Sequence, residues 1–170
     1  MIKVRAAGID SVIRHLEEKR KALQDEKLRR FLEKLAQIGI ETADVKFRNA
    51  EYDGTNDVVV SPAPEWVNEN TLTISASGTT VLFIEFGTGV HYAEQHPKAD
   101  EFGFVRGGYG KGQGKKEHWG YYGEPGTHGV PKRDGAVIIT QGNPPARAMY
   151  DAGKEIRQRI ADTAREVFST

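Results

Sequence analysis

The sequence contains no cysteine, and this absence removes several classes of function. Disulfide scaffolds, thiolate metal sites and cysteine nucleophiles are excluded, while the redox compartment is left open. Charge of one sign is also not in excess, since 24 Lys and Arg residues balance 24 Asp and Glu residues. No bulk positive field therefore draws the protein to nucleic acid.

Long hydrophobic runs are missing as well. No stretch approaches the ~20 apolar residues that span a bilayer. The first residues, MIKVRAAGIDSVIRHLEEKRK, hold no apolar run of the length that a signal peptide needs. We therefore expect a soluble, unsecreted protein with no membrane partner. The length of 170 residues predicts a single domain over 1–170.

The segment 9–47 carries two apolar stripes at helical spacing, from Ile9 to Leu23 and from Leu28 to Val45. The stripes drift out of phase between Leu23 and Leu28, which predicts a break near Asp25, a residue suited to capping a second helix. We expect two amphipathic helices on a core. A coiled coil would need three or four heptads, and the segment does not contain them.

The segment 57–90 changes to the periodicity of strands. TLTISASG alternates apolar and polar residues, a Gly-Thr-Thr turn follows, and VLFIEF continues as a mostly apolar run. We predict a hairpin of these two strands, with 57–61 as a third strand and AVIIT at 136–140 as another. Together they would form one small antiparallel sheet of about three to four strands.

The remaining segments are a loop and a helix. The segment 91–134 is rich in glycine with scattered aromatics, which favours an extended loop arm ordered by packing against something else. The segment 144–168 predicts a long helix, with Asn143 placed to cap it and Pro144–Pro145 setting its first turn. The predicted fold class is α+β, with this helix packed on the sheet.

Candidate chemistry is concentrated around FIEFGTGVHYAEQHP. His91, His96, His118 and Glu85 suggest a metal-dependent hydrolase, but the histidine spacing is not that of a helical zinc pair. Glu85 lacks a recognisable catalytic partner, so we interpret it as a strand-end residue that hydrogen-bonds backbone amides. The preferred prediction is no catalytic residue, no metal and no cofactor, and the hydrolase stays open as the alternative.

Nucleotide and nucleic-acid sites are less well supported. Gly87-Thr88-Gly89 matches neither of the glycine motifs that hold phosphates. Lys111, Lys115 and Lys116, with Tyr109 and Trp119 nearby, suit incidental contact with a nucleic-acid backbone. Acidic residues of the same zone balance them, so we predict no sequence-specific nucleic-acid binding.

Two short stretches carry a resemblance to a known family. Glu85-Phe86-Gly87-Thr88-Gly89 and Pro144-Pro145-Ala146-Arg147 flank the Gly/Tyr/Trp-rich arm. The chain resembles minor structural proteins of long-tailed bacteriophages and prophages, the neck or tail-completion (tail-component) family. The resemblance covers nearly the whole chain, and the arm is longer than in compact members.

The resemblance implies a non-enzymatic virion protein of the head–tail junction, assembled in the host bacterial cytoplasm. Self-association into a ring and contact with a connector, tail terminator or tail tube protein are its implied partners. The arm would be mobile in the monomer and become ordered when neighbouring copies assemble. Family-motif and interface positions expected on this basis are Glu85, Phe86, Gly87, Thr88, Gly89, Tyr109, Trp119, Tyr121, Tyr122, Pro144, Pro145, Ala146 and Arg147.

Overall fold

The structure, a computed structural model, describes residues 9–106 and 117–169 and is an α+β arrangement. Its elements, in chain order, are α1 Ile9–Arg48, β1 Val59–Val60, β2 Glu65–Asn68, β3 Thr71–Thr73, β4 Ala76–Ser77, α2 Val81–Phe86, α3 Ala99–Phe102, β5 Trp119–Tyr121, β6 Val130–Pro131, β7 Ile138–Thr140 and α4 Ala148–Phe168.

The N-terminal segment is one continuous helix, so the predicted pair of helices is wrong. α1 runs for 40 residues, about 60 Å at the usual rise per residue. Asp25 lies inside it and is not an N-cap. Strong helix formers surround Asp25, and no glycine or proline interrupts the helix before Gly39. The change of phase in the apolar stripe instead marks a change of surroundings, because residues 13–26 are all exposed while later residues enter the core.

The C-terminal helix α4 packs antiparallel to the second half of α1. Ion pairs join Lys46 to Asp151 near one end of the pair and Lys34 to Glu166 near the other. The main packing partner of α4 is therefore α1 and not the predicted sheet, although Val60 of β1 lies in the same buried cluster as Ala148 and Ala152. The main buried cluster contains Ile40, Ala43, Phe47, Val60, Ile84, Ala148 and Ala152.

The first four strands form an interrupted hairpin. β1 pairs with β4, Val59 opposite Ser77, and β2 pairs with β3, Trp66 opposite Leu72. The strands predicted at 57–61 and 71–77 are present in shortened form. β2 was not predicted, and it replaces 81–86 as the partner of β3. Instead of one sheet, the described residues form two two-stranded sheets and one three-stranded sheet.

VLFIEF is the short helix α2 rather than a strand, so this prediction is wrong. Burial explains the difference, since Ile84, Glu85 and Phe86 are buried in succession while Leu82 and Phe83 are exposed. A strand would alternate these environments. Short apolar runs do not distinguish the two structures by periodicity.

The segment 91–134 is not a single extended loop. It contributes α3, β5 and β6, and the two strands flank β7 in a three-stranded antiparallel sheet. The strand predicted at 136–140 is present in shortened form as β7, Ile138–Thr140. Residues 107–116, which include Tyr109, lie outside the described residues.

Candidate functional site

The two stretches that carry the family resemblance meet in space. Thr88 N–H donates to the Asn143 carbonyl at 2.9 Å, and Asn143 N–H donates to the Thr88 carbonyl at 3.2 Å and to its hydroxyl at 3.0 Å. We call this reciprocal pairing the Thr88–Asn143 clasp. It fixes the end of α2 against the approach to α4, although 55 positions of sequence separate its two residues.

The clasp requires glycine on both sides. Gly89 has φ +84° and a Cβ there would lie 2.3 Å from the Gln141 carbonyl oxygen. Gly142 has φ +103° and a Cβ there would lie 2.1 Å from the Thr88 carbonyl oxygen. Both the left-handed backbone and the lack of space exclude a side chain. The glycines of GTG therefore allow two backbones to approach, and they do not form a phosphate loop.

Glu85 caps α4 from another element. Its Oε2 accepts the Met149 N–H at 2.9 Å and its Oε1 accepts the Tyr150 N–H at 3.0 Å. These amides belong to the first turn of α4, whose N–H groups have no partner within the helix. The predicted bonding of Glu85 to backbone amides is thus confirmed, although from a helix and not from a strand end.

Asn143 does not cap α4, contrary to the prediction. The helix begins after Arg147, which has φ +55° and is its N-cap. Pro144 and Pro145 therefore precede the first turn and do not form it. The amides of Ala146 and Arg147 donate to carbonyls of Ile84 and Glu85, which joins the two helices end to end.

His96 completes the buried arrangement around Glu85. Its Nε2 lies 3.2 Å from Glu85 Oε1, and its Nδ1 accepts the Lys98 N–H at 3.0 Å. Because Nδ1 accepts, the ring proton is on Nε2 and is donated to Glu85. Both side chains are buried, and the His96 ring packs 4.3 Å from that of Phe86. All the polar atoms of the Glu85–His96 pair are therefore engaged by the protein itself.

Asp53 is a second buried carboxylate, and it holds the other side of the clasp. Its backbone N–H donates to Asn143 Oδ1 at 3.1 Å. Its carboxylate accepts from the backbone amides of His128 and Gly129 and from the Thr140 hydroxyl. Asp53 therefore ties the loop after α1, the β5–β6 connection and β7 to one point.

The aromatic residues expected at an interface form part of a cleft. Trp119 and Tyr121 project from β5, Tyr122 follows and is 82% exposed, and Tyr109 lies outside the described residues. The cleft has a volume of about 850 Å³, within the range of ligand sites. Tyr52 lines the same cleft. Burial raises the pKa of its hydroxyl, and the negative charges of Asp57 and Asp53 raise this pKa further.

No protein-family model, curated protein or solved structure matches this chain.

The remaining histidines do not join the Glu85–His96 pair. His91 is exposed, and its carbonyl accepts the Gln95 side chain. The Nε2 atom of His128 lies 3.1 Å from Glu51 Oε2, and His128 and His118 line a second pocket. Within residues 9–106 and 117–169, no three His, Asp or Glu side chains are grouped as a metal site would require. The helices of this same part of the chain include none that is long and apolar enough to cross a membrane.

Sequence reasoning missed Asp53 and Asp57 as organising residues. They lie in EYDGTND, whose composition is typical of a turn. Asp57 accepts the backbone and side-chain donors of Thr79 and Thr80 at the start of α2. These hydrogen bonds lower the pKa of its carboxyl well below the usual range. Its partners are more than twenty positions away, so local sequence gave no signal of them.

Proposed function

We propose that this chain is a structural subunit of the head–tail junction of a long-tailed bacteriophage, a neck or tail-completion protein that assembles into a ring without catalysing a reaction. The proposal of a neck or tail-completion protein comes from the resemblance in residues 85–89 and 144–147. In support, the two stretches contact each other, because the Arg147 N–H donates to the Glu85 carbonyl at 3.2 Å, and the Thr88–Asn143 clasp and the Glu85 cap lie beside this contact.

The observation that carries assembly is the N-terminal half of α1. Residues 13–26 are all exposed, and the apolar Ile13, Leu16 and Leu23 are 47%, 60% and 57% exposed. A helical stretch of about 14 residues is marginal in water by itself, and most helical stability in proteins comes from packing of an apolar face. A neighbouring copy, or a neighbouring neck protein, would provide that packing by covering the stripe.

The Glu85–His96 pair supports a structural role more than a catalytic one. Both oxygens of Glu85 accept backbone amides, and both ring nitrogens of His96 are hydrogen-bonded. A general base acting on a substrate would have to release the first turn of α4. The carboxylate is therefore better placed to hold two helices than to move a proton.

The surface on α1 is tested by sedimentation of the purified chain over a range of concentrations. We expect growth into a closed oligomer, and we expect the double variant Leu16→Glu/Leu23→Glu to remain monomeric. The matched control is Val67→Glu/Val130→Glu, which places two charges on equally exposed apolar positions elsewhere, at 62% and 64% exposure. A control pair that dissociates to the same degree would contradict a specific surface on α1.

The location is tested separately, by immunogold electron microscopy of purified tailed particles that contain the epitope-tagged chain. The proposal expects label at the junction of head and tail. Label along the tail, on the capsid shell or only on free protein would refute it.

A further inference from the structure

The cleft described above combines an aromatic wall with two carboxylates. The rings of Tyr52 and Tyr121 lie close together beside Gly54. Asp53, Asp57 and Trp119 also line the cleft. Arg106 is a further lining residue, and its guanidinium donates to the Val90 carbonyl at 3.3 Å. The cleft is open to solvent and, at about 850 Å³, large enough for a side chain together with a stretch of extended backbone.

The negative charges of the cleft are held by neutral donors. Asp53 accepts two backbone amides and the Thr140 hydroxyl. Asp57 accepts the amides and hydroxyls of Thr79 and Thr80 at 2.5–3.0 Å. Over residues 9–106 and 117–169, no cationic side chain forms an ion pair with either carboxylate. Their combined charge is therefore not neutralised by this part of the chain.

The aromatic wall lies within the field of these carboxylates. The pKa of Tyr52 is raised by burial and then by Asp57 and Asp53, and the pKa of Tyr121 is raised by burial and then by Asp53. Aromatic faces next to carboxylates attract cations, since the ring quadrupole and the negative charge act in the same direction. The cleft thus favours a cationic group that is not fully hydrated.

An independent observation concerns Asn143, which is one of the lining residues and is 2% exposed. Its Nδ2 is buried and has no hydrogen-bond partner among the described residues. A buried amide nitrogen without an acceptor is unfavourable. A carbonyl oxygen that reached Nδ2 would supply the acceptor. A peptide provides both groups, a cation on its side chain and a carbonyl on its backbone.

We propose that this cleft binds a lysine or arginine side chain presented by an extended segment of a partner protein. The cation lies against the rings of Tyr52 and Tyr121 within the field of Asp57, whose oxygens already accept four hydrogen bonds, and a backbone carbonyl of the segment faces Asn143. This surface is distinct from the exposed stripe on α1. The Leu16→Glu/Leu23→Glu variant should therefore retain peptide binding, so ring assembly and this site can fail independently.

The test uses two-dimensional amide and indole NMR spectra of the full chain titrated with short peptides. The probe is acetyl-Gly-Gly-Lys-Gly-Gly-amide, and its norleucine and glutamate analogues are the matched controls. We expect saturable shifts of the Trp119 indole and of residues 52–57 with the lysine peptide. The norleucine peptide, which keeps the stem and lacks the charge, should bind at least about tenfold more weakly.

Charge variants refine the test. Asp57→Asn should weaken the lysine peptide about tenfold, whereas Asp134→Asn, which removes an exposed carboxylate outside the cleft, should leave affinity unchanged. If Asp57→Asn does not fold, the comparison of lysine with norleucine peptide on the unmodified chain decides.

Equal shifts from both peptides, or no shift from the lysine peptide, would overturn the proposal. Shifts of the same residues caused by N-acetylglucosamine and not by the lysine peptide would assign the cleft to carbohydrate instead and would also overturn it.

Discussion

Glu85 and His96 form a buried hydrogen-bonded pair whose Oε1 and Nε2 atoms lie 3.2 Å apart, and the same carboxylate holds the first turn of α4. The pair joins three elements, since Glu85 belongs to α2 and His96 to the loop before α3. A charged acceptor at a helix N-terminus also interacts favourably with the helix dipole.

Replacing Glu85 with glutamine should destabilise the protein. The amide keeps the size of the side chain, but its NH₂ group would face a backbone N–H or the His96 donor, and the charge is lost. We expect the free energy of unfolding to fall by about 2–3 kcal/mol, measured by urea denaturation. Glu155→Gln is the control, because the ion pair that Glu155 forms with Arg159 is partly exposed to solvent and its loss should cost under about 0.5 kcal/mol. Equal losses in the two variants would contradict the capping role.

Replacing His96 with phenylalanine separates its ring contacts from its hydrogen bonds. Phenylalanine keeps a ring beside Phe86 and Tyr150 but has neither nitrogen. We expect a loss of about 1–2 kcal/mol. In a double-mutant cycle with Glu85→Gln, the coupling free energy should be about 1 kcal/mol. Strictly additive losses would show that the two side chains do not interact.

Asp57 should make stability depend on pH on the acidic side. Hydrogen bonds from Thr80 and Thr79 lower the pKa of its carboxyl in the folded state. A lowered folded pKa stabilises the protein above the unfolded pKa of about 3.9, and this contribution is lost as pH falls below that value. The stability difference between the unmodified chain and Asp57→Asn should be largest near neutral pH and shrink below about pH 4. Urea denaturation at a series of pH values measures it, and a difference that does not vary with pH would contradict the assignment.

Gly142→Ala should be among the most destabilising small substitutions in the chain. The new methyl group would meet the Thr88 carbonyl oxygen at 2.1 Å in a left-handed backbone, so the clasp would have to open. We expect a loss of about 3 kcal/mol or more. Gly135→Ala is the matched control, since Gly135 has φ +69° with no atom within 4 Å and should cost only about 1–2 kcal/mol. Thermal unfolding followed by circular dichroism compares the two, and similar melting temperatures would rule out crowding at the clasp.

The parts of the fold that sequence could predict are those set by local periodicity. α4 was predicted because its apolar residues keep helical spacing over the whole element, and β7 because AVIIT is a short run of β-branched residues. α2 was misread because its six residues are too few to show a period, and its start depends on Asp57, 23 positions before Thr80. The break predicted in α1 came from reading a solvent-facing stripe as a buried one.

The contacts of the candidate site were even harder to predict from the sequence, because they join residues that are far apart along the chain. Glu85 was recognised as a residue that binds backbone amides, but its partners lie 64 and 65 positions later. Asp53 and Asn143 carry no local signal of the contact between them, which spans 90 positions. The orphan amide of Asn143 and the neutral donors around Asp57 depend on packing in three dimensions. The cleft therefore became visible only in the structure.

The Thr88–Asn143 clasp holds together the two ends of the segment 89–142, which leaves the helices after α2 and returns to them before α4. Since exit and entry lie side by side, the ends of the excursion from 89 to 142 stay together when a surface turn within it is lengthened, provided that His96 and Thr140 keep their contacts with Glu85 and Asp53. Doubling the length of a flexible loop costs only about 0.6 kcal/mol in closure entropy. The exposed turn at Gly135, where a Cβ would meet no atom within 4 Å, is thus suited to insertion of a foreign peptide or fluorescent label, while the helices keep their geometry.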